Sequence, residues 1–351
     1  AEMLAKKQAE DLLKKQKEIS RMLAKKQNEE LIIEQKEKEE AEMLVKKQVK
    51  KLRGINLFQI KKEEDDSKKL ENIDFNNLLT QIDFEKGRFY EIGLGYAIQK
   101  LNPYILAPEV FKEGLLKLKE VVHFGGQTTI ADMAVGLFDF ETELNTQVAL
   151  YENEDNPFRV ELIAHSTVMQ KGNSIEQAEE LIAKLPERNS HRLNFRKRVK
   201  LFTDGAFFSQ VAQLMEPGYI DGHHGEWLST PEQFEENARV FWNKGYAIHV
   251  HCTGDLGLEL AVDTLEKMQD EKPRFNHGFT IEHFGLSTPE QVFRLSRLGA
   301  NISANAYYVH ELSDIYSNDS VGYERASSMA RIGTSFREGI TTTLHSDFTM
   351  A

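Results

Sequence analysis

A single cysteine, Cys252, is all the thiol chemistry in this 351-residue chain. One cysteine excludes an internal disulfide framework, so the fold needs no oxidising compartment. No apolar run approaches the roughly 18 residues that a membrane-spanning helix requires. The N-terminus lacks the apolar core of a secretory signal. Together these absences lead us to expect a cytoplasmic protein. Basic charge is also short, with 44 Lys+Arg against 56 Asp+Glu and a formal net charge of −12. The first 70 residues hold 19 basic and 15 acidic side chains, and the rest hold 25 and 41. An acidic body of this kind argues against nucleic acid as a partner, because its binders carry basic faces.

Glycine and proline are both absent before Gly54. That stretch is repetitive: E-M-L-A-K-K-Q at Glu2–Gln8 recurs as R-M-L-A-K-K-Q at Arg21–Gln27 and E-M-L-V-K-K-Q at Glu42–Gln48. Nearly every residue is a good helix former. The apolar pairs recur every nine to eleven residues or so, too sparsely for a two-per-heptad seam. Residues 1–54 therefore read as a long charged helix. It is either a coiled-coil or oligomerisation arm or a solvated helix, and the charge run favours the second. Residues 55–72 read as a linker, rich in charge at Lys61–Leu70.

From residue 73 the texture changes. Short apolar runs occur at Thr128–Met133, Arg159–Ala164, Val199–Phe202, Ala247–His251, Thr280–His283, Asn301–Ala304 and Thr342–His345. Helix-length segments fall at Leu94–Leu106, Glu109–Val122, Ser174–Ala183, Pro231–Lys244, Leu256–Gln269, Pro289–Leu298 and Ser327–Arg331. Strand-then-helix alternation predicts a parallel sheet. Seven strands at this spacing predict an α/β fold, an incomplete (β/α)8 TIM barrel one strand short, over residues 73–351. An open doubly wound sheet is the alternative, but no G-x-G-x-x-G follows any strand.

Barrel chemistry sits at the C-terminal strand ends. Those ends carry Asp132, His165, Lys200 with Asp204, His251 with Asp255, His283, Asn305, and His345 with Asp347. Imidazole and carboxylate on separate strands suit a borderline divalent ion such as zinc. A lysine among them is out of place beside a cation unless its nitrogen carries a carboxyl group from CO2. His249 lies two residues before His251, so in a strand the two share a face.

Four stretches carry a family resemblance: V-K-L-F-T-D-G-A (Val199–Ala206), I-H-V-H-C-T-G-D (Ile248–Asp255), T-I-E-H-F (Thr280–Phe284) and L-H-S-D-F (Leu344–Phe348). In order and spacing they resemble strands four, five, six and eight of the amidohydrolase superfamily, in particular its YtcJ-like branch. The resemblance implies a carboxylated Lys200 bridging metal. It also implies His251 and His283 as ligands, and Asp347 as both ligand and general base. His283 then belongs to the catalytic pair with Asp347. One or two divalent ions, most simply zinc, would activate water against an amide or other C–N bond of a small molecule. His249 would pack behind the ligands, and His345 would orient Asp347 or touch substrate.

The chain departs from the family in two places. No H-x-H strand precedes residue 128, and the small β-domain usual after strand eight is absent. Three readings fit: a fragment or chimera, a chain completed by a second chain or a homo-oligomer, or an inactive relative serving as a scaffold. Substrate contacts are expected from the loop Pro217–Trp227, with His223, His224 and Trp227. Asn305 and Tyr307 after strand seven, together with His345, are expected as a second wall.

Overall fold

Seven parallel strands lie side by side in chain order. They are β1 (Thr129–Val135), β2 (Arg159–His165), β3 (Leu193–Phe202), β4 (Ala247–Cys252), β5 (Thr280–His283), β6 (Asn301–Asn305) and β7 (Thr342–His345). The computed structural model describes residues 82–83, 88–89, 98, 100–137, 139–170 and 172–348. The charged helix at 1–54, the linker at 55–72 and most of the expected helix before Leu101 lie outside the described residues. Asp83–Ala351 forms one compact unit.

All seven expected strands are present, and every neighbouring pair is parallel. Helices return the chain between most of them: α1 (Pro108–Phe124) before the sheet, then α2 (Phe140–Tyr151), α3 (Ile175–Lys184), α4 (Pro231–Asn243), α5 (Asp255–Glu271), α6 (Pro289–Leu298), α7 (Tyr307–Ile315) and α8 (Ile332–Arg337). This is an incomplete (β/α)8 barrel of seven strands, with β1 and β7 as its edges among the described residues. No helix among the described residues is long and apolar enough to cross a membrane.

The alternation within strands sets the two faces. In β4, Ile248, Val250 and Cys252 are buried against the helices, while Ala247, His249 and His251 take the other face and keep some exposure. Val199, Leu201, Ile281, Ile302 and Ala304 continue that apolar layer, which packs on Phe234, Phe241, Leu258, Leu265, Val292 and Leu295 from the helices. Burying such side chains is worth about 1.5–3 kcal/mol each and is what holds the helices on the sheet.

Three helix starts have a local cause that the sequence spells out. Ser174, Thr230 and Thr288 each cap a helix, with Gln177, Gln233 and Gln291 reaching back to complete a capping box. Two orphan amides are satisfied at each of these ends. Pro231 and Pro289 occupy the first helical turn, where a missing N–H costs nothing.

One expected helix is not there. Ser327–Ala330 is a turn, and α8 begins only at Ile332. Arg331 adopts a non-helical ψ of 51° and breaks the path.

Candidate metal and catalytic site

The sheet register builds a polar row on the inner face. Lys200 pairs with His249 and Phe202 with His251 across β3 and β4. His251 pairs with Glu282, and Glu282 with Ser303. Asn305 pairs with His345 across β6 and β7. Strand parity would send His283 to the face opposite Glu282. Instead the chain leaves β5 through two left-handed residues, His283 at φ 74° and Phe284 at φ 53°. Left-handed φ in non-glycine residues is uncommon and clusters at functional sites. There the His283 ring meets His251, with centroids 4.6 Å apart, and His345, at 5.1 Å.

Lys200 is 3 % exposed. Burial pushes its ammonium pKa down, partly opposed by the charges of Glu282 and Asp347. Among the described residues no carboxylate comes within ion-pair distance of its Nζ, which lies 5.6 Å from the centre of the Phe202 ring. His251 stacks on the same ring at 5.3 Å. Burial, and then Lys200, lowers the His251 pKa to about 3, so the imidazole is neutral. Its Nε2 is buried with no hydrogen-bond partner. His283 is likewise held well below the ordinary histidine range by burial, with His251 and Lys200 adding to the effect. Its Nδ1 lies 3.1 Å from His345 Nε2 and 3.6 Å from Asp347 Oδ2. Asp347, with φ 50°, keeps 41 % side-chain exposure. Burial raises its pKa, against the pull of His345 and Lys200.

The structure brings His251, His283, His345 and Asp347 together, with Lys200 beside them across the Phe202 ring. His165 joins them by stacking on Phe202 at 4.4 Å. Sequence reading passed over two further members, Glu282 and Ser303. Glu282 accepts from His249 Nδ1 at 2.7 Å. Burial raises its pKa, but the bonds from His249 and Ser303 and the charge of Lys200 outweigh burial and leave it lowered. Ser303 Oγ also lies 2.7 Å from His345 Nδ1. The available signal was a carboxylate in the middle of a four-residue apolar strand, which demands a partner.

Other expected residues sit elsewhere. Asp204 is fully buried, taking the backbone N–H groups of Gln213, Thr253 and Gly254 and the hydroxyls of Thr203 and Thr253. A Cβ at Gly257 would come within 2.9 Å of both its oxygens, so the carboxylate packs directly on the start of α5. Asp255 holds Arg325 at 2.7 Å and the Met215 amide at 2.9 Å. Asp132 accepts from Gln147. These three aspartates tie loops and helices to the strand ends.

In the loop after β3, both ring nitrogens of His223 are engaged, by Asp221 Oδ1 and the Gln210 carbonyl, and the ring stacks on Tyr219 at 3.9 Å. Trp227 pairs with Asp204 through the backbone, and His224 is exposed. Asn305 is buried and accepts from the Tyr307 amide, while Tyr307 is 37 % exposed. Among the described residues no three His, Cys, Asp or Glu side chains are arranged to hold a metal ion.

Residues 116–351 match the family model described as Amidohydrolase family. No curated protein matches the chain. Among solved structures it is similar to an uncharacterized metal-dependent hydrolase from Pyrococcus furiosus, at 25 % identity and a TM-score of 0.58 over 77 % of this chain and 53 % of that one. A second, from Pyrococcus horikoshii OT3, gives 21 % identity and a TM-score of 0.58 over 77 % and 51 %. The chain thus spans about half the length of these structures.

Proposed function

The chain belongs to the amidohydrolase family, and from that premise we propose that it is a metal-dependent hydrolase of an amide or other C–N bond in a small molecule. One observation carries the reading: a lysine only 3 % exposed, with no carboxylate in ion-pair distance, stands in the same cluster as a buried imidazole nitrogen without a partner. Such groups cost stability unless something satisfies them. The named metal-dependent hydrolase from Pyrococcus furiosus is consistent with it.

The donor set suits a divalent cation once Lys200 is carboxylated. A buried amine with a lowered pKa is neutral more of the time, and the neutral form adds to CO2. From that neutral amine the N–C bond forms, one proton leaves to solvent, and a carbamate anion replaces the amine. Lys200, His251, His283 and Asp347 would then hold the ion, which borderline nitrogen and oxygen donors suit to zinc.

A divalent cation held there would supply Lewis acidity, lowering the pKa of water toward about 7 and polarising a carbonyl. The rest is work for the side chains. Asp347 is half open to solvent with its carboxyl pKa raised, so it is the better proton acceptor. It takes the proton of the attacking water and returns it to the leaving nitrogen. His283 and His251 stay neutral and keep a lone pair available. Phe202 keeps bulk water from the Lys200 side of the cluster. His224 and Tyr307, exposed beyond the strand ends, are the residues free to meet a substrate.

A second reading, a non-catalytic scaffold assembled as a homo-oligomer or with another chain, draws on the two edge strands that the sheet has among the described residues. Amide hydrolysis by the purified chain, with zinc and bicarbonate supplied, separates the two. Zinc-dependent turnover that disappears in Asp347→Asn supports the hydrolase, and absent turnover supports the scaffold.

A further inference from the structure

At the end of the sheet opposite His283 and His345, the loops that lead into β5, β6 and β7 enclose a cleft of about 720 Å³. That size falls within the range of small-molecule sites, roughly 300–1,000 Å³. The strands cross from cleft to mouth in a few residues: β5 begins at Thr280 and ends at His283, a span of about 10 Å. The lining departs from the acidic body around it. No Asp or Glu lines the cleft, and two arginines do, Arg274 and Arg297. Arg274 is fixed in place. Its Nη1 donates to the carbonyls of Trp242 and Tyr246 at 3.1 and 2.9 Å, and its guanidinium carbon lies 4.5 Å from the centre of the Trp242 ring. Its Nε and Nη2 have no partner among the described residues. Glu271, three residues before it, is taken by Arg239 at 2.8 Å. Arg297 is exposed and pairs with no carboxylate among the described residues.

The backbone acceptor at the end of α6 is already in use. The Phe279 amide donates to His277 Nδ1, so His277 Nε2 carries the ring proton and donates it to the Leu298 carbonyl. The side chains of Asn276 and Asn301 line the cleft and make no hydrogen bond among the described residues. Phe275, also in the lining, is 95 % exposed. The polar groups left over are therefore cationic or amide donors, beside an open aromatic ring. We propose that this cleft is a second ligand site, for a small aromatic molecule that bears a carboxylate or phosphate group. Arginine holds either anion through two parallel N–H groups, and an exposed aromatic side chain stacks on a planar ring. The site is separate from the hydrolytic centre and does not depend on metal there.

Calorimetric titration of the full chain, freed of metal and at low ionic strength, tests this with benzoate, phenylphosphonate, inorganic phosphate and benzyl alcohol. Benzoate or phenylphosphonate should bind at one site per chain, and the tighter of the two identifies the anion. Inorganic phosphate and benzyl alcohol each carry half of the recognised chemistry and should bind more weakly. Arg297→Ala should raise the Kd of the bound probe roughly 10–100-fold, as loss of a charge-assisted bond does. Phe275→Ala should raise it roughly 3–10-fold. Both side chains are exposed, so both variants should melt as wild type does. His251→Ala and Lys200→Ala, at the other end of the strands, should bind the probe as wild type does. Failure of both aromatic anions to bind at millimolar concentration would overturn the proposal. So would a Kd unmoved by Arg297→Ala and Phe275→Ala, or binding lost in His251→Ala or Lys200→Ala, which would put the probe at the mouth. Inorganic phosphate binding as tightly as phenylphosphonate would overturn it too, leaving only a general anion site.

Discussion

Lys200 on β3 and Asp204 just beyond its end are both buried, and they meet opposite fates. Asp204 gathers five donors from three segments and sits on the first turn of α5. Lys200 gathers none and faces an aromatic ring, with two neutral histidines nearby. A buried charge that is fully bonded does structural work, and removing it leaves the donors orphaned. A buried amine left without a partner costs stability and calls for another explanation. The same strand end therefore holds a joint and, four residues earlier in the chain, the lysine that we propose as a metal ligand.

The largest test of that contrast is Lys200→Ala. We expect hydrolytic turnover to fall by more than the roughly 100-fold that losing an outer partner costs. Its melting temperature should hold or rise, because a buried amine has been removed. A clear fall in melting temperature would make Lys200 a structural group and erase the contrast. Asp204→Asn should do the reverse. Its amide would point N–H at backbone N–H groups, costing roughly 3 kcal/mol in denaturant unfolding, with zinc binding per folded molecule unchanged.

The two clusters also carry opposite pH signatures. Burial raises the Asp204 pKa to about 6 from 3.8. The folded state then holds a proton the unfolded state has lost, so this group's stability contribution declines as pH rises through that window. His251 is lowered from 6.5 to about 3. The unfolded imidazole takes a proton that the folded one refuses, so its contribution declines as pH falls through that window. Each slope is about 1.4 kcal/mol per pH unit. Unfolding curves of Asp204→Ala and His251→Ala against wild type should each lose one slope and keep the other. Loss of both in either variant would show that the clusters are one coupled network.

The smallest effect expected is at His223. Its two engaged nitrogens and its stacking on Tyr219 mark it as a loop fastener. His223→Ala should cost about 1 kcal/mol of stability with kcat unchanged. A large kcat loss with intact stability would return it to the substrate wall.

Much of the barrel was legible because its strands are continuous apolar runs, and two helices announce themselves with T-P-E-Q. α2 was not legible. Its buried face carries Glu143 and Gln147, which bond the Gly136 and Asp139 amides and Asp132, so the apolar period is broken where the helix does its work. α7 was read as loop wall because its polar start follows a strand directly. Within the site, strand-end residues were readable because barrels place chemistry there. Asp204 shared that position yet proved structural, since position alone does not reveal whether donors converge on a carboxylate. Glu282 and Ser303 were missed because they lie inside strands. Only the register sets them side by side, each against a histidine of the inner face, His249 and His345.

Zinc content of the purified chain, expressed with zinc and bicarbonate, tests the central claim most directly. Near-stoichiometric zinc in wild type, lost in His251→Ala and Lys200→Ala but kept in Asp204→Asn, is the expected result. A wild type without zinc, or zinc that survives loss of both Lys200 and His251, would contradict it.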